Sequence, residues 1–272
     1  MPELPEVETT RNGIAPHIEG KIVRDAFIRN PNLRWPIPSD LIDNIKGKKL
    51  LSVSRRGKYL ILYFKHGTAL WHLGMSGNLR IVDANTAPGK HDHVDWVFNQ
   101  KCCLRFNDPR RFGSLLWTEE DPLDHKLLKS LGPEPLSEDF NTDYLFKASR
   151  KKNKALKTWV MDSKVVVGVG NIYANEALFY SGLNPLKTTG TITKKQCNVL
   201  CENIKQVLSA AIEQGGTTLK DFVGGDGKPG YFAQKLVVYG RGEQPCINCQ
   251  KPLSEFRINQ RATVFCSTCQ KK

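Results

Sequence analysis

Residues 245–270 read PCINCQKPLSEFRINQRATVFCSTCQ. Cys246 and Cys249 form one CxxC, and Cys266 and Cys269 form a second after 16 intervening residues. This is the spacing of a four-thiolate zinc site, in which each knuckle supplies two corners of a tetrahedron. Four thiolates leave no open coordination position, so the expected metal is one structural zinc ion. Paired disulfides are disfavoured in a cytosolic setting, and a redox dithiol would use one CxxC on a thioredoxin-like unit. Zinc can supply on the order of 10 kcal/mol of apparent folding energy, enough to hold a short segment that has almost no core. Between the knuckles, Arg261 falls at the tip or arm of a hairpin, where a rigid charged arm can lie along a phosphate backbone.

Upstream of this module the apolar period is helical. In TITKKQCNVLCENIKQVLSAAIEQGG, Leu200, Ile204, Val207, Leu208 and Ala211 mark one face. Thr193 with Gln196 forms a capping box, and Gly215-Gly216 supplies the stop. In GVGNIYANEALF (168–179), Gly168 and Gly170 allow a tight turn and Asn171 is expected to cap the next helix. Such a helix start, beside the basic run SRKKNKALK, suits a phosphate, although an ordinary turn next to a solvated face accounts for it equally well.

Residues 20 to 118 instead consist of short alternating or apolar runs, among them KYLILYF, TALWHL, HVDWVF and CCLRF. Gly, Pro, Asn and Lys clusters separate them, as in an antiparallel β-sandwich or barrel. The polar stretch LGPEPLSEDFNTD reads as a linker. At the other end, MPELPEVETT places Pro5 and Glu6 in a first helical turn, with Val7, Ile14 and Ile18 at helical spacing behind them. Pro2 lies ahead of that helix, and helix punctuation does not account for it.

The whole chain has 272 residues and carries 40 Lys+Arg against 27 Asp+Glu, a net charge of +13 that points to a polyanionic partner. No apolar run approaches a membrane span of roughly 20 residues, and the acidic N-terminus is unlike a secretory leader. The expectation is a cytoplasmic protein with nucleic acid as its leading partner. Cys102, Cys103, Cys197 and Cys201 lack metal spacing and read as buried thiols. The loops LGMSG (73–77) and DPRRFG (108–113) set Met75 and Phe112 amid turn residues, beside Arg110 and Arg111. Exposed apolar tips of this kind suit a wedge between bases, whereas for either loop alone a side chain folded back on the core is favoured. In KHDHVD, His91 and His93 share a strand face without a clear third ligand, so phosphate contact or a structural role is expected.

Taken together these residues resemble the bacterial formamidopyrimidine-DNA glycosylase family. MPELPEVET, RRGKYL, HLGMSG, KHDHVD, DPRRFG, LGPEPL, GVGNIYANEALF, EQGGTTLKDF, DGKPGYF, VYGR and the cysteine pattern fall in family order over essentially the whole chain. The resemblance implies an α+β fold: an N-terminal helix with an antiparallel β-sandwich, then a helical domain with a helix-two-turns-helix motif and a zinc-bound β-hairpin. The implied domains are 1–130 (catalytic), 131–145 (linker), 146–238 (helical, DNA-binding) and 239–272 (zinc-finger hairpin).

The resemblance also implies a bifunctional glycosylase/lyase, a monomer, acting on double-stranded DNA that contains oxidised purines. Pro2, exposed by loss of Met1, would be the nucleophile. A terminal amine has a pKa of about 8 against roughly 10.4 for lysine, so on the order of a hundredfold more of it is free base near neutrality. Its secondary amine gives a permanently cationic iminium, an electron sink for elimination. Glu3 would protonate the sugar ring oxygen, Glu6 would support the site, and Lys58 would contact the lesion phosphate. Met75, Arg110 and Phe112 would fill the gap left by the flipped nucleotide, with Arg110 facing the orphaned base. His72, His91, Arg111, Asn171, Tyr239 and Arg261 match backbone-contact positions, and Lys157 and Lys220 match positions near the lesion. The loop from Thr217 to about Tyr231 corresponds to a cap over the flipped base. Departures from the family pattern are Thr158, DSK at 162–164, and Gly224-Gly225 within the cap.

Three alternatives stand beside this reading. The endonuclease VIII branch removes oxidised pyrimidines, but Leu4 and the capping segment favour the purine-directed branch. A zinc-dependent DNA-binding protein without catalysis would leave Pro2-Glu3 idle. An RNA-binding, ribosome-associated protein does not explain the wedge loops.

Overall fold

A computed structural model of the chain describes residues 1–217 and 235–271, which fall into two compact units. The first contains residues 1–129 together with 214–217. Helix α1 (Leu4–Ile18) opens it, with Pro5 in the first turn and Leu4, Val7, Ile14 and Ile18 on its buried side. Strand β1 (Asp25–Ile28) and the short helix α2 (Leu41–Ile45) follow, then β2 (Ser52–Arg56), β3 (Tyr59–Phe64), β4 (Gly67–His72), β5 (Asn78–Val82), β6 (Asp92–Asn99), β7 (Cys102–Asn107) and β8 (Ser114–Thr118). They form two four-stranded antiparallel sheets, ordered β1-β6-β7-β5 and β2-β3-β4-β8.

The sheets meet through aromatic rings. Trp71 of β4 lies 5.2 Å from Trp96 of β6 and 5.4 Å from Phe106 of β7, measured between ring centroids. These side chains belong to one apolar core that also takes in Val7, Ile14 and Ile18 of α1. At roughly 25 cal/mol per Å2 of buried apolar surface, aromatic residues dominate such a core. Cys103 is buried on β7, and that burial pushes its thiol up to about 12, which leaves it inert.

The second unit contains residues 130–213 and 235–271. It has helices α3 (Thr142–Ser149), α4 (Leu156–Val160), α5 (Asn171–Tyr180) and α6 (Lys194–Glu213), followed by the antiparallel hairpin β9 (Ser254–Ile258) and β10 (Arg261–Phe265). Helix α5 is buried from Ile172 through Phe179 and packs against α4, α6 and β10. The α6 face is as the period predicts, with Leu200, Ile204, Val207, Leu208 and Ala211 all buried. Thr193 and Gln196 exchange the two bonds of a capping box, at 3.0 and 3.2 Å.

The stretch read as a linker is hydrogen-bonded into this second unit. The Gly132 N–H donates to the Ser163 carbonyl and the Val167 N–H to the Pro133 carbonyl, while the Asn141 side chain caps α3 through the Tyr144 N–H. A polar segment reads as a loop in sequence even where its backbone groups find fixed partners.

Candidate active site and nucleic-acid surfaces

In the first unit the chain's beginning is buried. Pro2, Glu3 and Glu6 are all covered, and Glu3 caps α1 in an extended conformation. The Glu3 N–H donates to Glu6 Oε2 at 2.8 Å, and Glu6 Oε1 accepts the Thr217 N–H at 2.8 Å. One carboxylate thus joins the extended Pro2-Glu3 segment to the first residue of the expected cap. Gly216 has φ +78°, and a Cβ there would come within 3.1 Å of Glu6 Oε1. Lys58 sits on the turn joining β2 to β3, next to Gly57 in the left-handed region at φ +58°. Burial pushes the Met1 amine below its ordinary value, Glu3 and Glu6 oppose that, and the charges of Arg110 and Lys58 reinforce it. Amine, carboxylates and cations therefore share one electrostatic neighbourhood.

His72 ends β4 and packs its ring 4.7 Å from that of Tyr59. Burial, then the charges of Lys58 and Arg34, push it down to about 4, so the ring is neutral near pH 7. The Gly74 N–H donates to His72 Nδ1 at 3.0 Å, which leaves Nε2 carrying the proton. Beyond it, the Met75 and Phe112 loops touch through their backbones: a Cβ on Gly74 would overlap the Phe112–Gly113 peptide. Phe112 is 48% exposed, an unusual position for a large ring, and Arg110 and Arg111 beside it are exposed as well. The Arg110 guanidinium lies 5.9 Å from the Phe112 centroid, and Arg111 adopts φ +56°.

KHDHVD divides its roles. His93 is buried and bonds through Nε2 to the Asp108 carbonyl at 2.9 Å, a structural placement. Asp92 and Asp95 are buried against Arg80, Arg29 and Arg105, whose Nε and Nη2 both bond Asp95. His91 is left partly exposed.

In the second unit, helix α5 begins one residue earlier than a cap at Asn171 would have it: Gly170 is the N-cap and Asn171 the first helical residue. Gly170 takes the extended conformation that a cap requires. Arg150 of the basic run is engaged internally, donating to the Ile192 carbonyl and lying over the Phe146 ring. Arg261 occupies the expected tip. It pairs with Ile258 across the two-residue turn Asn259-Gln260, both with positive φ, and is exposed. Tyr239 is partly exposed, and its N–H, with those of Val237 and Val238, bonds the buried Glu176 carboxylate. Glu176 carries no signal in its own sequence position, since its three partners lie more than 60 residues away.

Lys157 is buried within this unit. Its Nζ donates to the Ala262 carbonyl at 2.6 Å and to Thr263 Oγ1 at 2.8 Å, fastening α4 to β10. A buried ammonium requires such acceptors, and a separation of 105 residues along the chain hides the pairing from sequence. Lys220 lies outside the described residues, as does the expected cap beyond Thr217, including Gly224-Gly225.

Cys246, Cys249, Cys266 and Cys269 converge, with all four sulfurs within 4.8 Å of one another. The 246–269 and 249–266 separations are 3.9 and 3.5 Å. A tetrahedron with metal–sulfur bonds of about 2.3 Å has edges of roughly 3.8 Å, so the four residues fit one zinc ion. Among the described residues no helix is long and apolar enough to cross a membrane.

Residues 1–115 match the model of the formamidopyrimidine-DNA glycosylase N-terminal domain, and residues 131–223 match that of its H2TH domain. The chain belongs to the formamidopyrimidine-DNA glycosylase family. A formamidopyrimidine-DNA glycosylase of Saccharophagus degradans is 62% identical over 271 residues, covering all of both chains. The crystal structure of the MutM (Fpg) protein of Thermus thermophilus superposes with a TM-score of 0.89 at 36% identity, over 99% of this chain and 98% of that one. A point mutant of Lactococcus lactis Fpg, solved in complex with DNA containing Fapy-dG, gives 0.93 at 31% identity over the full length of both chains. The L. lactis protein has also been solved with DNA holding an abasic site and with DNA holding an oxidised pyrimidine. Membership in this formamidopyrimidine-DNA glycosylase family carries DNA glycosylase activity with it.

Proposed function

We propose that this chain is a bifunctional DNA glycosylase and abasic-site lyase that removes oxidised purines, 8-oxoguanine and formamidopyrimidines, from duplex DNA. The observation that carries the reading is the buried Pro2-Glu3 segment, its Glu3 N–H held by Glu6, in a chain of this family. Once Met1 is removed, the Pro2 nitrogen attacks the anomeric carbon and the damaged base departs. The attack needs an unprotonated amine, and burial already pushes the Met1 amine at this end of the chain below its ordinary value. Glu3 protonates the sugar ring oxygen as the ring opens to the iminium. The cationic iminium then draws electrons from the neighbouring carbons, and β,δ-elimination cleaves the strand. Lys58 takes the lesion phosphate.

In this reading Met75, Arg110 and Phe112 enter the space left by the flipped nucleotide. His72, His91, Arg111, Asn171, Tyr239 and Arg261 bind the backbone. Lys157 and Lys220 lie near the lesion, and the segment from Thr217 onward caps the flipped base. The four cysteines hold one zinc ion, whose contribution is the rigidity of the hairpin and not chemistry at the sugar. The molecule works as a monomer, in the cytoplasm and on the nucleoid.

Reductive trapping tests the proposal. Protein with its native N-terminus is incubated with duplex carrying 8-oxoguanine opposite cytosine, and borohydride is added. The expected result is a covalent protein–DNA adduct that disappears in Pro2→Gly or N-terminally blocked protein. Tight lesion binding without an adduct would favour a non-catalytic binder. A strong adduct with oxidised thymine alone would favour the pyrimidine-directed branch.

A further inference from the structure

Ser76 is buried, 4% exposed, in the loop that carries Met75. Its hydroxyl oxygen is 2.9 Å from Asp108 Oδ1, and Arg110 Nε approaches the same oxygen at 3.4 Å. The polarity of this chain is fixed. The Asp108 carboxylate accepts at both oxygens, the second taking the Gly113 N–H at 2.7 Å. The single hydroxyl proton of Ser76 therefore goes to Asp108, which turns the oxygen lone pairs toward the guanidinium.

Asp108 is itself immobile. It is completely buried, its N–H donates to the His91 carbonyl at 3.0 Å, and its own carbonyl bonds His93 Nε2 and accepts the Arg111 N–H. Arg110 is exposed and has four side-chain torsions, so it would sample many orientations without a fixed partner. Ser76 gives it one, at the Nε end of the guanidinium, while the Phe112 ring flanks the group at 5.9 Å.

We propose that Ser76, anchored on Asp108, is a positioning residue that sets the orientation in which Arg110 meets the base opposite the lesion, and so tunes the enzyme's choice of opposite base. This rests on the reading of Arg110 given above. A bidentate arginine contact discriminates between bases only if the planar fork is held in register.

The test compares excision of 8-oxoguanine opposite cytosine and opposite adenine, as kcat and KM separately, in wild type, Ser76→Ala and Ser76→Thr, with thermal melting as a check on folding. In Ser76→Ala the ratio of the two kcat/KM values should move toward one by about fivefold, a fraction of the span of a good base contact. Ser76→Thr, which keeps the hydroxyl, should recover most of the ratio. In an Arg110→Ala background, Ser76→Ala should change the ratio no further, an outcome that a general packing role would not give. Should the alanine variant fail to fold, Ser76→Cys, close in volume but a weak acceptor, replaces it. A folded Ser76→Ala or Ser76→Cys with the wild-type ratio overturns the proposal, and so does a wild type that forms the borohydride adduct yet treats both opposite bases alike. Absence of any wild-type adduct overturns the functional reading and this inference with it.

Discussion

The backbone N–H of Glu3 is held by the Glu6 carboxylate at 2.8 Å. The other oxygen of that carboxylate holds the Thr217 N–H at the same distance. One side chain thus fixes both the expected general acid and the root of the expected cap. Glu6→Gln replaces one acceptor oxygen by an NH2 group, which must then face a backbone N–H. Leaving one buried donor unsatisfied costs about 1–3 kcal/mol. The single-turnover trapping rate should fall about tenfold or more, measured by borohydride quench, while the bulk of the fold survives by circular dichroism.

Gly216→Ala tests the same junction from the loop side. The left-handed φ disfavours any side chain, and the new methyl meets Glu6. The variant should lose about 1 kcal/mol or more of stability, and its trapping rate should fall alongside that of Glu6→Gln. A normal trapping rate would separate Gly216 from the active site.

Removal of zinc by a chelator, or Cys249→Ser, should abolish duplex binding, lesion or none, with one zinc released per chain. The apolar cluster around the hairpin is small, consisting of Phe179, Val238, Cys246, Leu253, Val264 and Cys266 with a few half-buried neighbours. It cannot replace metal binding worth on the order of 10 kcal/mol. Unchanged affinity after zinc loss would remove the hairpin from the DNA contact.

Arg261→Ala should weaken binding to damaged and undamaged duplex alike and flatten the log–log salt slope by about one unit. Fluorescence anisotropy across salt concentrations measures it. A loss confined to lesion DNA would contradict a backbone contact.

His72 gives the protein a dependence on mild acid. Held at about 4 in the fold and ordinarily 6.5, it is unprotonated in the native state across a window where the unfolded chain binds a proton. Stability of the first unit therefore decreases as the pH falls from about 6.5 to about 4, then levels off for this group. The residue is only partly covered, so solvent reclaims some of the shift, and the loss should be about 2 to 3 kcal/mol. His72→Gln should flatten that part of the profile in urea titrations. Asp92 and Asp95, held below the carboxylate range despite burial by hydrogen bonds and arginine charges, act at lower pH and leave their own slope in place.

Much of this was legible in the sequence because it is local. The CxxC knuckles, the Thr193–Gln196 box and the apolar face of α6 each depend on residues within a few turns of one another. The strand runs were legible because alternation and turn residues report burial directly. What escaped depends on contacts far apart in the chain. Lys157 matches a position near the lesion by family pattern, but the bonds its ammonium makes to β10 span more than 100 residues of chain and have no local signal. Asp108 and Ser76 look like loop residues until the fold closes two loops around one carboxylate. The cap expected at Asn171 sits one residue earlier because Gly170, with no side chain to bond, can still adopt the capping backbone.

The metal-binding module is moored at two points by side chains of neighbouring helices. The Glu176 carboxylate of α5 grips the segment leading into it at Val237–Tyr239, and the Lys157 ammonium of α4 grips β10. Neither mooring uses a thiolate. A chain stripped of its metal would therefore keep the cysteine segment tethered close to its docking surface. Recovery on return of the ion should be a first-order, intramolecular event, with a half-time independent of protein concentration.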